Sequence, residues 1–268
     1  KNKNEAVETI KNIMSKRIFG ASGENIIIEE FLEGEEISFF ALVDINGFIL
    51  PLTTAQDHKK IGEGDTGLNT GGMGAYSPVP FIKQNQINDF VIKFVKPVIN
   101  DLKHNNIFFS GIFYAGLILT KYGPKLLEIN VRFGDPEAQA VLPRLKTDLL
   151  DLLLASSKGR LDQLRPPEWD NNFCINVVMA SKGYPESYKK NTIIGGLNKT
   201  TVNKSQYIFH SSTRKNEDHW LATGGRVLSI SALGSTLKEA RNKAYNVINE
   251  IDWKSGYYRN DIGWKHLT

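Results

Sequence analysis

The chain has 268 residues, of which 41% are apolar and 23% are charged, and this length favours two lobes of roughly 100–150 residues. No apolar run approaches the roughly 20 residues that span a bilayer and no signal-peptide pattern opens the sequence, so we expect no membrane partner. The lone Cys174 cannot form an internal disulfide, so we expect a cytoplasmic protein. The 33 basic and 29 acidic residues leave a scattered net charge of +4, which gives no reason to expect a nucleic-acid partner but suits small anionic substrates.

The first 80 residues predict a helix, a hairpin and a long glycine-rich segment. Apolar periodicity predicts, in chain order, a helix at 5–18 and strands at 26–28, 37–43 and 48–52. The Asn46-Gly47 pair between the last two strands is a hairpin turn signal. Six glycines among the polar residues of 53–80 argue against regular elements there, so we expect a functional or disordered loop.

Regular structure then resumes. The patterns predict helices at 82–102, 142–156 and 236–250, and strands at 111–120, 125–131, 173–179, 207–211 and 226–233. Pro97 is expected to kink the first of these helices. The Arg-Pro-Pro sequence at 165–167 is the best linker candidate.

The segment LLEINVRFGDPE, residues 126–137, carries the strongest chemical signal. Alternate side chains of a strand share a face, so we expect Glu128, Asn130 and Arg132 to point one way while the apolar residues between them fill a core on the other side. Carboxylate and amide oxygens suit Mg²⁺, and an arginine can neutralise a phosphoryl group. A solvated strand face with one internal ion pair explains the spacing equally well.

The segment IIIEEFLEGEE, residues 26–36, ends an apolar strand in acidic residues. Its terminal backbone could pair with a purine edge, Phe31 and Leu32 could flank the ring, and Glu36 could accept hydrogen bonds from ribose hydroxyls. An ordinary strand end with solvated glutamates is the favoured alternative on this segment alone.

Residues 53–78 can wrap an anion, because glycine frees successive backbone N–H groups and lets a ligand approach closely. The side chains that could hold a zwitterionic or phosphorylated substrate are Asp57, Lys59, Lys60, Asp65 and Asn69. The spacing matches neither the nucleotide phosphate loop nor the dinucleotide fingerprint, and a plain flexible loop stays open as an alternative. His58 is interpreted as hydrogen-bonded rather than as a general base, and Cys174 as a core residue rather than a nucleophile.

Taken together, the sequence resembles the C-terminal two-thirds of the glycinamide ribonucleotide synthetase (phosphoribosylamine–glycine ligase) family of ATP-grasp enzymes. The resemblance runs along essentially the whole chain. It is carried by RFGDPEAQ at 132–139, QDHKKIGEGDTGLNTGGMGAYSP at 56–78 and GGRVLSISALGSTLKEARNKAY at 224–245. The EINVR core alone would indicate only the ATP-grasp superfamily, whereas RFGDPE together with DTGLNTGGMG is far more specific.

The resemblance implies an α+β fold, with an ATP-grasp large lobe (an antiparallel-rich sheet with helices) followed by a small β-rich C-terminal domain. The implied divisions are a remnant of the small lobe and hinge at 1–30, the large lobe at 31–165 and the C-terminal domain at 166–268. The opening KNKNEAVETIKNIM resembles the helix that follows the family's phosphate-covering loop. We therefore expect the N-terminal part of the same enzyme to be missing, and this fragment alone to be inactive.

The resemblance also implies roles for individual residues. Glu128 and Asn130 match ligands of Mg²⁺, or of Mn²⁺ in its place, and Arg132 and Asp135 are the expected catalytic residues. ATP is expected to bind at Glu29, Glu30, Phe31, Leu32 and Glu36. The small substrates are expected to bind at Gln56, Asp57, Lys59, Asp65, Thr66, Asn69, Thr70, Gly71, Gly72 and Met73.

The implied reaction, a step of purine biosynthesis, uses ATP to join glycine to 5-phosphoribosylamine through a glycyl phosphate, giving glycinamide ribonucleotide, ADP and phosphate. Two other interpretations stay open. One is a different ATP-grasp ligase, such as a biotin-dependent carboxylase subunit or a purine carboxylating enzyme. The other is a non-catalytic fragment that binds nucleotide.

Overall fold

The computed structural model describes residues 2–217 and 219–267. The chain forms two compact units, Lys1–Glu33 and Gly34–Thr268. In the first unit, helix α1 (Lys3–Ile10) begins where the Asn2 side chain accepts the Glu5 N–H at 3.0 Å, and it continues as a π turn over Lys11–Ser15. The helix predicted at 5–18 is thus confirmed in outline.

The strand predicted at 26–28 is wrong. These residues have no regular secondary structure, and Ile27 and Ile28 are 87% and 79% exposed. A strand needs a neighbour to receive its backbone hydrogen bonds, and the described residues of the first unit contain no strand that could pair with it. An apolar run by itself therefore misled the prediction.

The second unit is built on one nine-stranded sheet. Its strands are β1 (Glu35–Val43), β2 (Ile49–Asp57), β5 (Gly74–Ser77), β6 (Gly111–Thr120), β7 (Gly123–Asn130), β8 (Phe173–Ser181), β10 (Gln206–His210), β13 (Arg226–Gly234) and β14 (Gly256–Tyr257). The order is β10–β13–β8–β5–β2–β1–β6–β7, with β14 also paired to β8, and every pair is antiparallel. The α+β class with an antiparallel-rich sheet is confirmed.

Two smaller sheets complete the β structure. Strands β9 (Thr192–Ile194), β11 (Thr213–Asn216) and β12 (His219–Ala222) form a three-stranded sheet in the order β11–β12–β9. Strands β3 (Lys60–Gly62) and β4 (Thr66–Asn69) form a hairpin inside the glycine-rich segment. The remaining helices are α2 (Gln84–Phe90), α3 (Lys96–His104), α4 (Ala138–Val141), α5 (Leu149–Ser157) and α6 (Leu237–Asn249).

Strand β1 is buried on both faces, so its neighbouring phenylalanines enter different cores. Phe39 packs edge-on against Phe90 of α2 in one core, while Phe40 packs against Tyr114 in another core that includes Leu152 of α5. A third core joins β8 and β13 to α6. Together the helices and the sheet hold β1, β2, β6 and β7 in fixed register.

The expectation of a long loop at 53–80 is corrected by the structure. Strand β2 extends to Asp57, and β5 inserts between β2 and β8 with all four of its residues buried. Strand β5 was not predicted, because its glycine content argues against a strand and its pairing partner β8 lies about a hundred residues further along the chain. Long-range pairing, rather than local propensity, decided this element.

Prolines shape two of the helical regions. The helix predicted at 82–102 is confirmed in outline as α2 and α3, joined by a π turn at Val91–Val95 just before Pro97. The helix predicted at 142–156 is split: a 3₁₀ turn containing Pro143 ends α4, and α5 starts where the Asp148 carboxylate accepts the Leu150 N–H at 2.7 Å.

Helix α5 offers a matched test of the packing. Leu152 is 1% exposed in the core against β1, whereas Leu150 on the same helix is 63% exposed. We expect Leu152→Ala to lower the free energy of unfolding by about 2–5 kcal/mol, because it removes buried methyl groups and leaves a cavity. Leu150→Ala should change it by less than about 0.5 kcal/mol in the same urea titration. Equal losses in the two variants would contradict this assignment of the core.

Candidate active site

Strand β7 brings the three predicted polar side chains to one cavity. Glu128, Asn130 and Arg132 all line a cavity of about 270 Å³. Gly116 of β6 lies opposite Glu128, and a Cβ atom there would come within 2.9 Å of the Glu128 Cγ. The missing side chain at position 116 therefore makes room for the Glu128 carboxylate beside the sheet.

The other face of β7 does not fill a core, so this expectation is wrong. Ile129 is 39% exposed and Val131 is 69% exposed. The register with β6 slips at Leu127, which forms a β-bulge, and β7 is the last strand of the sheet. An edge strand can present polar side chains to a cavity without burying its apolar residues, which the alternating pattern does not reveal.

The oxygen atoms of Glu128 and Asn130 suit a divalent cation. Within the described part of the chain, the Glu128 carboxylate forms no hydrogen bond or ion pair, and the Asn130 Oδ1 accepts only a long 3.4 Å hydrogen bond from Arg132. Among the described residues there is no cluster of three or more His, Cys, Asp or Glu side chains suited to a metal. Two protein ligands leave the other positions to phosphate and water oxygens, which is how Mg²⁺ is commonly bound.

A larger cavity of about 350 Å³ adjoins the first one. Asp57, Lys59 and Glu128 line both cavities. Lys59 forms a 2.8 Å ion pair with Glu36. Burial alone would lower the pKa of Lys59, but the hydrogen bond and charge of Glu36, together with Asp57 and Glu128, raise it above its usual value. Lys59 therefore stays protonated and positively charged where the two cavities meet.

Two carboxylates stand close together on the wall of the smaller cavity. Glu137 is almost fully buried and accepts a 2.8 Å hydrogen bond from the Ser38 hydroxyl. Burial raises the pKa of Asp57 well above its usual range, and the neighbouring Glu137 carboxylate raises it further, while Lys59 and Arg226 oppose the shift. The Asp57 Oδ1 is buried with no hydrogen-bond partner among the described atoms. Asp57 would be ionised most readily beside a cationic ligand.

The C-terminal segment 256–267 holds the glycine-rich hairpin in place through Arg259. The guanidinium of Arg259 is fully buried and donates to Asp261 at 2.8 Å, to Asp65 at 3.0 Å and to the Lys60 carbonyl at 3.0 Å. Lys265 adds a 2.6 Å ion pair with Asp65. This network fixes the backbone beside Lys59 from a position about 200 residues away in sequence.

His58 belongs to the same network and is not free to act as a base. Its Nε2 accepts the Gly263 N–H at 3.1 Å, which leaves the proton of the neutral ring on Nδ1. Burial lowers the pKa of His58 to about 4, and the charge of Arg259 contributes to the shift. The interpretation of His58 as a hydrogen-bonded structural residue is confirmed. Cys174 is likewise a core residue, because its side chain is fully buried and burial raises its pKa to about 12.

Most of the predicted site residues of the second unit line the two cavities. Those that do are Glu36, Gln56, Asp57, Lys59, Asp65, Asn69, Thr70, Gly71, Glu128, Asn130, Arg132 and Asp135. Thr66 and Gly72 line neither cavity, and Met73 lies in the core shared by β8 and β13. The predicted adenine contacts at 29–32 belong to the first unit, where they have no regular secondary structure. The binding roles of all these residues stay predictions.

Several residues of the site were missed from sequence. Glu137 stands in the RFGDPE motif itself, so its position could have suggested a role. Tyr114, Lys265 and Arg259 carry no local signal, because long-range contacts alone bring them to the cavities or the hairpin.

The fold and the site together define an ATP-grasp domain. A family model described as phosphoribosylglycinamide synthetase, ATP-grasp (A) domain, matches residues 1–138. The model of the C domain of the same synthetase matches residues 174–265. The chain belongs to the phosphoribosylglycinamide synthetase family, as its sequence motifs predicted.

Individual known proteins support the same family assignment. A curated phosphoribosylamine–glycine ligase of Rhizobium meliloti is 44% identical over 250 residues, which cover 93% of this chain and 58% of that protein. The crystal structure of the phosphoribosylamine–glycine ligase of Thermotoga maritima matches with a TM-score of 0.84 and 30% identity, over 97% of this chain and 63% of that one. The chain thus spans about three-fifths of the length of these relatives.

The fold also occurs in more distant proteins. The biotin carboxylase domain of the Hydrogenobacter thermophilus 2-oxoglutarate carboxylase matches with a TM-score of 0.69, over 96% of this chain and 54% of that one. At 14% identity this likeness shows the fold alone. Among the described residues, no helix has the length and apolar character needed to cross a bilayer.

His58 predicts a loss of stability in mild acid. An unfolded histidine takes up a proton near pH 6.5 and the folded His58 only near pH 4, so the unfolded state binds more protons between these values. Stability should therefore fall as the pH drops from 6.5 towards 4, and His58 should contribute about 2 kcal/mol of that loss at pH 5.

Urea unfolding at pH 7 and pH 5 tests this contribution. His58→Gln should lose less stability between the two pH values than the unsubstituted chain does. His104→Gln, at an exposed position of α3, is the matched control and should keep the original pH dependence. An unchanged pH dependence in His58→Gln would show that His58 is not the group responsible.

Proposed function

We propose that this chain is the C-terminal part of an ATP-dependent ligase that joins glycine to 5-phosphoribosylamine through a glycyl phosphate, giving glycinamide ribonucleotide in purine biosynthesis. The observation that carries the proposal is the convergence of Glu128, Asn130 and Arg132 on one cavity, which Thr70 and Gly71 of the glycine-rich segment help to enclose. Family membership supports the identity of the substrates.

ATP is proposed to occupy the larger cavity, with its phosphates directed towards Glu128. Glu36 is the proposed acceptor for the ribose hydroxyls, and its 2.8 Å ion pair with Lys59 positions the carboxylate beside the cavity. The proposed adenine contacts at Glu29, Glu30, Phe31 and Leu32 rest on the family match, which covers residues 1–138. Domain divisions at 1–30, 31–165 and 166–268 are part of the same proposal.

Glu128 and Asn130 are the proposed ligands of Mg²⁺, or of Mn²⁺ in its place. A divalent cation held there would neutralise charge on the phosphate oxygens. Arg132 lines the same cavity and would donate hydrogen bonds to the phosphoryl oxygens, where negative charge builds up during transfer. Asp135 lines the cavity beside Arg132 and is the second proposed catalytic residue.

The chemistry needs alignment more than it needs a protein nucleophile. A glycine carboxylate oxygen would attack the γ-phosphorus of ATP, and ADP would leave. The amine nitrogen of phosphoribosylamine would then attack the carbonyl carbon of glycyl phosphate, and phosphate would leave. Asp57 and Glu137 favour a cation beside them, which suits the ammonium group of glycine in the smaller cavity.

The proposed partners are small molecules and the rest of the same enzyme. The substrates are ATP, glycine and 5-phosphoribosylamine, and the relatives' greater length supports an N-terminal part that completes the site. The proposed compartment is the cytoplasm, because a single cysteine cannot form an internal disulfide and so suits a reducing environment. Neither a nucleic acid nor a membrane is part of the proposal.

Glu128→Gln tests the metal site in the full-length protein. The amide keeps the shape of the side chain but removes its negative charge, so ligase turnover should fall by on the order of 10²-fold or more. Glu186→Gln, at an exposed position outside both cavities, is the control and should retain turnover. Initial rates of ADP release at saturating Mg²⁺, with circular dichroism to verify folding, provide the readout. Near-normal turnover in Glu128→Gln would contradict the assignment of Glu128 as a metal ligand.

A further inference from the structure

Arg226 reaches the site from the C-terminal half of the chain. It is the first residue of β13, and the register with β8 slips between Arg226 and Leu228. Such a bulge redirects the side chains next to it. The Arg226 side chain is 23% exposed and extends towards the segment that contains Gly71 and towards the RFGDPE motif.

One nitrogen of Arg226 joins two parts of the site. Its Nη1 donates to the Gly71 carbonyl at 2.6 Å and to the Asp135 carbonyl at 2.8 Å, and it lies 3.2 Å from the Asp135 Oδ1. These are charge-assisted hydrogen bonds, which are stronger than neutral ones. Two carbonyl oxygens that converge on one point repel each other unless a cation lies between them.

The two residues that Arg226 joins both line the smaller cavity, while Arg226 itself does not. Gly71 is held from a second direction as well, because its N–H donates to the Tyr184 hydroxyl at 3.0 Å. A Cβ atom on Gly71 would come within 3.0 Å of the Arg226 guanidinium, so the contact is close-packed as well as hydrogen-bonded. Arg226 therefore acts on the cavity through Gly71 and Asp135.

We propose that Arg226 is a positioning residue that holds Gly71 and Asp135 together at the wall of the smaller cavity and so couples the C-terminal part of the chain to catalysis. This inference rests on the proposed function for its substrate. The larger cavity shares neither Gly71 nor Asp135, so the binding of ATP should be much less sensitive to Arg226 than the binding of glycine. Substitution of a residue that served stability alone would change KM for both substrates equally, or for neither.

Arg226→Met in the full-length protein is the main test, because methionine keeps an apolar stem and removes the donors. We expect kcat/KM for glycine to fall about 10–100-fold, as for the loss of hydrogen bonds to a charged group, while KM for ATP changes less than about threefold. Arg226→Lys should recover part of the loss, because an ammonium group can still donate to one carbonyl. Arg214→Met, at an exposed arginine of β11 outside both cavities, is the matched control and should behave like the unsubstituted protein.

A second measurement does not depend on activity. Amide hydrogen exchange of residues 66–74 should be faster in Arg226→Met than in Arg214→Met, because the Gly71 carbonyl loses its anchor. If the unsubstituted protein makes glycinamide ribonucleotide but Arg226→Met matches Arg214→Met in both kinetics and exchange, the inference is overturned. An equal rise in KM for glycine and in KM for ATP also overturns it. If the unsubstituted protein makes no such product, the proposed function fails and the exchange of residues 66–74 alone decides on the role of Arg226.

Discussion

The positive charge of Lys59 offsets the negative charges of the carboxylates around it. It lies where the two cavities meet, with Glu36 at 2.8 Å and the carboxylates of Asp57 and Glu128 close enough to raise its pKa. Without this cation, the carboxylates around it would repel one another. The conformation of the segment around Lys59 is therefore the constraint on which both cavities depend.

That conformation is set from far away in the sequence. Arg259 and Lys265 bind the hairpin that follows Lys59, and Arg226 binds Gly71 at its far end. A glycine-rich segment has little preference for one conformation, so cationic side chains of the C-terminal part supply the anchors. In this way the part of the chain that carries none of the predicted binding residues shapes the site.

Local patterns predicted the elements whose structure depends on near neighbours. The hairpin at Asn46-Gly47, strand β6 and helix α6 follow from turn signals and periodicity, and the alternation in EINVR placed Glu128, Asn130 and Arg132 at one cavity. Long-range contacts decided the rest. Strand β5 depends on its pairing with β8, and the roles of Arg226 and Arg259 depend on residues that the fold brings to them. Such contacts leave no periodic trace in a single sequence.

Product identification tests the central claim most directly. The full-length protein is incubated with ATP, 5-phosphoribosylamine and Mg²⁺, with either isotopically labelled glycine or labelled bicarbonate, and the products are analysed by mass spectrometry. The account predicts labelled glycinamide ribonucleotide, formed in equal amount to ADP, only when glycine is supplied. ADP formation that follows bicarbonate and ignores glycine, or nucleotide binding without any ADP formation, would contradict it.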